Sequence, residues 1–94
     1  MYVAIVYDIS DDRKRKKYSD YLKSRGFVRV QRSMFMGRPV SSIYKDVLRR
    51  SKIVISGEDI VHIIPLTKYS IDYMVVLGNP LSRIKGENIV VLSI

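Results

Sequence analysis

Val3-Ala4-Ile5-Val6-Tyr7-Asp8 is an unbroken apolar run that ends on a carboxylate. A strand with one wet face alternates apolar and polar residues, and this run does not. It therefore reads as a strand covered on both faces, hence a central one. The next residues, Ile9-Ser10-Asp11-Asp12, change character. Ser10 or Asp11 can cap a helix, and acids suit its positive N-terminal end. The spacing predicts a helix from about Asp12 to Arg25, with Tyr18, Tyr21, Leu22 and Arg25 on one face and Gly26 as its stop.

Beyond it, Phe27 to Gly37 reads FVRVQRSMFMG. Val28, Val30, Met34 and Met36 fall on alternate positions, which predicts extended chain with a bend near Gln31 to Ser33. Ser41 or Ser42 can cap a second helix, in which Val40, Ile43, Tyr44, Val47 and Leu48 follow amphipathic spacing. Strands are then expected over Ile60 to Leu66, Tyr73 to Leu77 and Ile89 to Ile94. The order β-α-β(β)-α-β-β-β places two helices beside one mainly antiparallel sheet. This is an α+β fold, the ferredoxin-like βαββαβ arrangement with an extra C-terminal strand.

The 94 residues suffice for one domain, taken as 1–94, and a 47% hydrophobic share is too apolar for a disordered chain. Without cysteine there are no disulfides and no thiolate metal sites, which suits a reducing cytoplasm. No apolar run approaches a membrane span, and Met1 to Tyr7 has no basic leader, so neither a membrane association nor a signal peptide is expected. The net charge is +8, and its placement is uneven: residues 1–52 hold 14 Lys/Arg against 5 Asp/Glu, residues 53–94 hold 3 against 4. A basic excess confined to one half points to a polyanionic partner, foremost a nucleic acid.

Asp8 closes a buried strand just before a helix begins. There a carboxylate can ligate Mg²⁺ or a similar hard cation, which needs only one or two protein carboxylates plus phosphate oxygens. It can equally be a turn-forming aspartate, and position alone leaves both readings open. Asp11 and Asp12 read as helix-start acids. Arg13-Lys14-Arg15-Lys16-Lys17 spreads around a helix and, with Lys23, Arg25, Arg29, Arg32 and Arg38, reads as phosphate-contacting charge. Phe35 can stack on a base or sit in the core. His62 is the single histidine and lies in an apolar strand, so it reads as structural. With one histidine and no cysteine, histidine-paired and thiol nucleophiles fall away. No glycine-rich phosphate loop is present.

Tyr7-Asp8-Ile9-Ser10-Asp11-Asp12, closing a strand ahead of a basic helix, resembles CRISPR-associated protein 2, and so does Gln31-Arg32-Ser33-Met34-Phe35-Met36-Gly37. The resemblance implies a homodimer of ferredoxin-like protomers with the strand at 89–94 at the interface. It further implies a role in spacer acquisition beside the integrase CRISPR-associated protein 1. Mg²⁺- or Mn²⁺-dependent endonuclease activity on RNA or DNA would follow. Carried onto this sequence, the catalytic and metal-binding residue is Asp8, and Tyr7, Arg15, Lys17, Arg29 and Phe35 contact nucleic acid, with Arg13 added to them from the basic run. Lys17, often arginine in the family, keeps the charge without the bidentate fork.

Two other readings use the same residues. A non-catalytic adaptor would bind double-stranded DNA through the basic half, needing charge and a two-fold axis but no metal. A toxin-like endoribonuclease of the virulence-associated protein D type would share the fold. The apolar strand at 89–94 would be a hazardous free edge, and a partner protomer is expected to bury it.

Overall fold

The structure is a computed structural model that describes residues 1–81 and 90–92, the last three by their backbone. The elements are β1 (Tyr2–Asp8), α1 (Asp12–Ser24), β2 (Val28–Gln31), β3 (Met34–Gly37), α2 (Ser41–Val54), β4 (Ile60–Leu66), α3 (Lys68–Asp72), β5 (Val75–Leu77) and β6 (Val90–Leu92).

The main sheet has the order β2-β3-β1-β4 and is antiparallel throughout. β1 is central, pairing Ile5 with Phe35 on one side and with Ile63 on the other. Its odd positions, Val3, Ile5 and Tyr7, pack with Tyr18, Leu22, Phe35 and Val47 under the helices. Tyr2 and Ala4 pack on the opposite face with Met36 and Ile71. Two cores, one per face, are why the strand carries no polar alternation. This is the expected ferredoxin-like order, and the β2–β3 bend falls at Arg32 and Ser33.

Local chemistry sets the element ends. The Asp11 carboxylate accepts from the Lys14 N–H at 2.9 Å, so Asp11 rather than Ser10 caps α1. At the other end Gly26 takes φ 91°, with Gly26 N–H donating to Lys23 O at 3.1 Å and Phe27 N–H to Leu22 O at 3.0 Å. That pair of bonds is the Schellman closure, and the left-handed φ favours glycine. Phe27 then packs on Gly37, where an added Cβ would sit 2.8 Å from the ring. The helices lock through Tyr18 and Ser51, whose hydroxyls lie 2.6 Å apart. Ser51 spends its proton on Val47 O, so Tyr18 is the donor. Burial pushes the Tyr18 phenol up to about 12.

Three expectations are corrected. α2 begins after Val40, which has no side-chain cap, so neither Ser41 nor Ser42 is its N-cap. The strand expected over Tyr73 to Leu77 shortens to Val75–Leu77, preceded by α3, which is capped by Thr67 Oγ1 accepting from the Ser70 N–H at 3.2 Å. The last two strands do not join the main sheet: β5 and β6 pair in parallel as a separate two-stranded unit. Ile71 and Met74 of this region cover the sheet face opposite the helices, because Tyr2, Ala4 and Met36 need an apolar partner there. Ile89, Ser93 and Ile94 of the expected final strand lie outside the described residues.

Candidate functional site

Asp8 is the last residue of β1 and pairs in register with Ile60 of β4. Strand alternation puts its side chain on the face of Tyr2 and Ala4, away from the helices. It is exposed, and among the described residues no group donates to its carboxylate. Beside it runs an open groove of about 580 Å³, lined by Asp8, Arg15, Lys23, Arg29, Arg32 and Ser33 among others. β1 supplies the acid, one side of α1 supplies Arg15 and Lys23, and β2 and its bend supply Arg29, Arg32 and Ser33.

Neither aromatic candidate offers a ring face to this surface, although Tyr7 contributes to its lining. Phe35 has no exposed area and Tyr7 is 3% exposed. Their rings stack at 6.2 Å, and Tyr7 meets Tyr18 edge-on at 5.3 Å. A base cannot reach either ring face, so the expectation of direct nucleic-acid contact by Tyr7 and Phe35 gives way to a supporting role. Tyr7 fastens the β2–β3 bend to β1: its N–H donates to Ser33 O at 3.0 Å and its hydroxyl to Arg32 O at 3.4 Å. Phe35 carries the Arg29 guanidinium 5.2 Å above its ring. The Arg29 Nε is buried and has no partner among the described residues. No described residue accepts from its Nη groups either, and these are the donors that Arg29 can present to the groove.

The basic run divides by helix face. Arg15 Nη1 donates to Ile9 O at 3.0 Å and pairs with Asp12, so it clamps the β1–α1 loop while lining the groove. Lys16 pairs with Asp20 at 2.8 Å, and this hydrogen bond holds the Asp20 carboxyl below its usual value. Lys14 is drawn to Ser56 at 2.6 Å and Asp59 at 3.4 Å. Arg13 and Lys17 are exposed without an ion pair among the described residues, and they lie outside the groove. The bases at 13–17 are thus five separate positions, and only Arg15 and Lys16 line the groove.

Sequence reasoning missed Asp59. Its side chain is 4% exposed and accepts from Ser10 N–H at 3.1 Å, Ser10 Oγ at 3.2 Å and Ser56 N–H at 3.2 Å, besides Lys14. The Ser10 N–H bond is the main reason its carboxyl stays below the ordinary carboxylate value. Asp59 pins the residue two places beyond Asp8 and so fixes the loop that ends the site. The available signal was a Gly57-Glu58-Asp59 turn directly ahead of an apolar strand.

Residues 1–74 match the sequence profile described as CRISPR associated protein Cas2. The chain belongs to the Cas2 family. A relative from Pyrobaculum aerophilum, named CRISPR-associated endoribonuclease Cas2 2, is 37% identical over 81 residues, spanning 85% of this chain and 89% of that one. A Thermoproteus tenax protein, named CRISPR-associated endonuclease Cas1/endonuclease Cas2 fusion, is 37% identical over 57 residues, 61% of this chain and 22% of that one. The Cas2 fold is likewise matched by the Streptococcus pyogenes Cas2 crystal structure, with a TM-score of 0.64 at 21% identity over 74% of this chain and 90% of that one. The matched Cas2 segment contains Asp8, Arg15, Arg29 and Asp59. No helix among the described residues is long and apolar enough to cross a membrane.

Proposed function

We propose that this chain is a metal-dependent endonuclease of the CRISPR adaptation machinery that hydrolyses phosphodiester bonds of RNA or DNA. The observation that carries the reading is Asp8: an exposed carboxylate with no donor among the described residues, at the mouth of a groove walled by Arg15, Lys23, Arg29 and Arg32. The Pyrobaculum aerophilum relative, named an endoribonuclease, supports the nuclease part of this reading.

Asp8 fits a hard divalent cation, Mg²⁺ or Mn²⁺, because it offers an anionic oxygen that no described cation already occupies. When bound, the cation would polarise the phosphodiester and lower the pKa of an attacking water. The remaining work falls to the chain. Arg29, seated on Phe35, and Lys23 hold backbone phosphates along the groove. Arg15 on Ile9 O and Asp59 on Ser10 keep the strand end from drifting. Among the described residues no group of three or more acids and imidazoles gathers, and Asp8 is the one carboxylate this reading assigns to each chain. A homodimer that brought together the Asp8 ends of β1 from two protomers would set two such carboxylates across a two-fold axis. The expected strand at 89–94 would meet the partner at that interface.

The test is cleavage of single-stranded RNA and of duplex DNA by wild type and Asp8→Asn, each with Mg²⁺ and with a chelator. Rates should fall at least about 100-fold on either removal. An Asp8→Asn protein that cleaves like wild type would sink the reading.

A second reading, a non-catalytic DNA-binding adaptor for a CRISPR-associated protein 1 integrase, is favoured by the fused relative from Thermoproteus tenax. Binding without metal-dependent cleavage in the same assay would select it. Neutralising Arg13, Arg15 and Lys17 should then weaken affinity and flatten its salt dependence.

A further inference from the structure

Four of the bases that the groove does not use lie on α2. Lys45, Arg49 and Lys52 follow the i, i+4, i+7 spacing and all are exposed, which aligns them along about 10 Å of one helix face. Arg50 lies beside them, its guanidinium 4.9 Å over the Tyr21 ring. The single acid of α2, Asp46, is already committed: it accepts from the Tyr21 hydroxyl and from Arg25 at 2.9 Å, and Arg49 reaches it only at 3.4 Å. Lys45 and Lys52 have no ion pair among the described residues.

This charge is separated from the groove by α1. Arg15, Ser19 and Lys23 of α1 line the groove, whereas Tyr18 and Tyr21 bond to α2 and Lys14 to the turn after it. No α2 residue lines the groove. A backbone lying in the groove is therefore screened from Lys45, Arg49 and Lys52 by the body of α1.

We propose that the outer face of α2 is a second binding surface, specific for the phosphate backbone of a nucleic-acid duplex and independent of the Asp8 groove. Charge complementarity selects the occupant. A straight stripe of about 10 Å faces about six phosphate charges of a duplex, whose density far exceeds that of an acidic protein surface. α2 contains no Asn, Gln, Phe or Trp, and its one aromatic, Tyr44, packs against the core, which leaves phosphate contact rather than stacking or amide readout of adenine as its mode. The chain would then hold two nucleic-acid segments at once, one in the groove and one across α2.

The experiment uses the whole chain and two labelled probes, a short single strand and a duplex of about 30 base pairs. Wild type is compared with Lys45→Gln/Arg49→Gln/Lys52→Gln and with the groove variant Lys23→Gln/Arg29→Gln. Wild type saturated with the single strand should still take up duplex. The α2 variant should keep the single strand and its melting temperature, bind that duplex more weakly, and show a duplex salt-dependence slope shallower by about 2–3. The proposal is overturned if the α2 variant binds duplex with the wild-type slope, or if single strand and duplex displace each other, which would mean one shared site. The groove is read separately. If its variant keeps the single strand, the groove assignment fails while the duplex arm still decides the α2 surface.

Discussion

Asp8 and Asp59 lie at the paired ends of neighbouring strands, and the fold treats them in opposite ways. Asp59 is almost fully enclosed and takes hydrogen bonds from Ser10, Ser56 and Lys14. Asp8, whose register partner is the residue just after Asp59, is exposed and takes none among the described residues. A carboxylate whose lone pairs are filled by protein donors is a structural tie. One left open beside unspent guanidinium donors is available to a ligand. The contrast separates the two acids by hydrogen bonding, which residue type alone could not do.

The largest effect that tests this contrast is catalytic. Asp8→Asn should remove at least about 100-fold of the metal-dependent cleavage at unchanged melting temperature, while Asp59→Asn should move stability as well as rate. Loss of both properties in Asp8→Asn would erase the distinction. Next in size, Phe35→Ala should destabilise the fold by about 3–5 kcal/mol in urea titration, as removal of a fully buried ring does. A stable Phe35→Ala protein that had lost only nucleic-acid affinity would restore the ring as a direct contact.

A smaller change, Ser51→Ala, strands the buried Tyr18 hydroxyl and should cost about 1–3 kcal/mol. An unchanged denaturation midpoint would contradict the helix lock. Smallest is a pH effect. The folded Asp59 carboxyl lies below its ordinary value, so on acidification the unfolded chain takes up the proton first. Its stabilisation is complete above the unfolded value of about 4 and is lost as pH falls through the folded value. Asp59→Asn should therefore flatten the acid limb of the stability curve and leave the neutral region level. An acid limb as steep as wild type would move the tie elsewhere.

Much of the fold was legible because the signals were local. The apolar run at Val3 to Tyr7 requires cover on both sides, Gly26 permits the left-handed stop of α1, and Val28, Val30, Met34 and Met36 alternate around a bend. The exposed position of Asp8 was legible for the same reason, since a charge ending a buried strand lies at an opening. α3 was not, because its five residues are held by the Thr67 cap and by Ile71 packing on a distant sheet face. The parallel pairing of β5 with β6 likewise joins segments far apart in sequence.

By itself, then, the amino-acid sequence determined the order of the main elements, the central place of β1, the uneven charge and the resemblance to the family. Those properties depend on side-chain type and spacing along the chain. Only the tertiary structure decided that Tyr7 and Phe35 face inward, that Arg29 rests on Phe35 with a donor to spare, and that Lys14 serves Asp59. It also placed Lys45, Arg49 and Lys52 behind α1 from the groove. The reason is physical: whether a polar group is spent or available depends on donors and acceptors brought to it across 25 to 45 positions of chain, and neither periodicity nor composition encodes that distance.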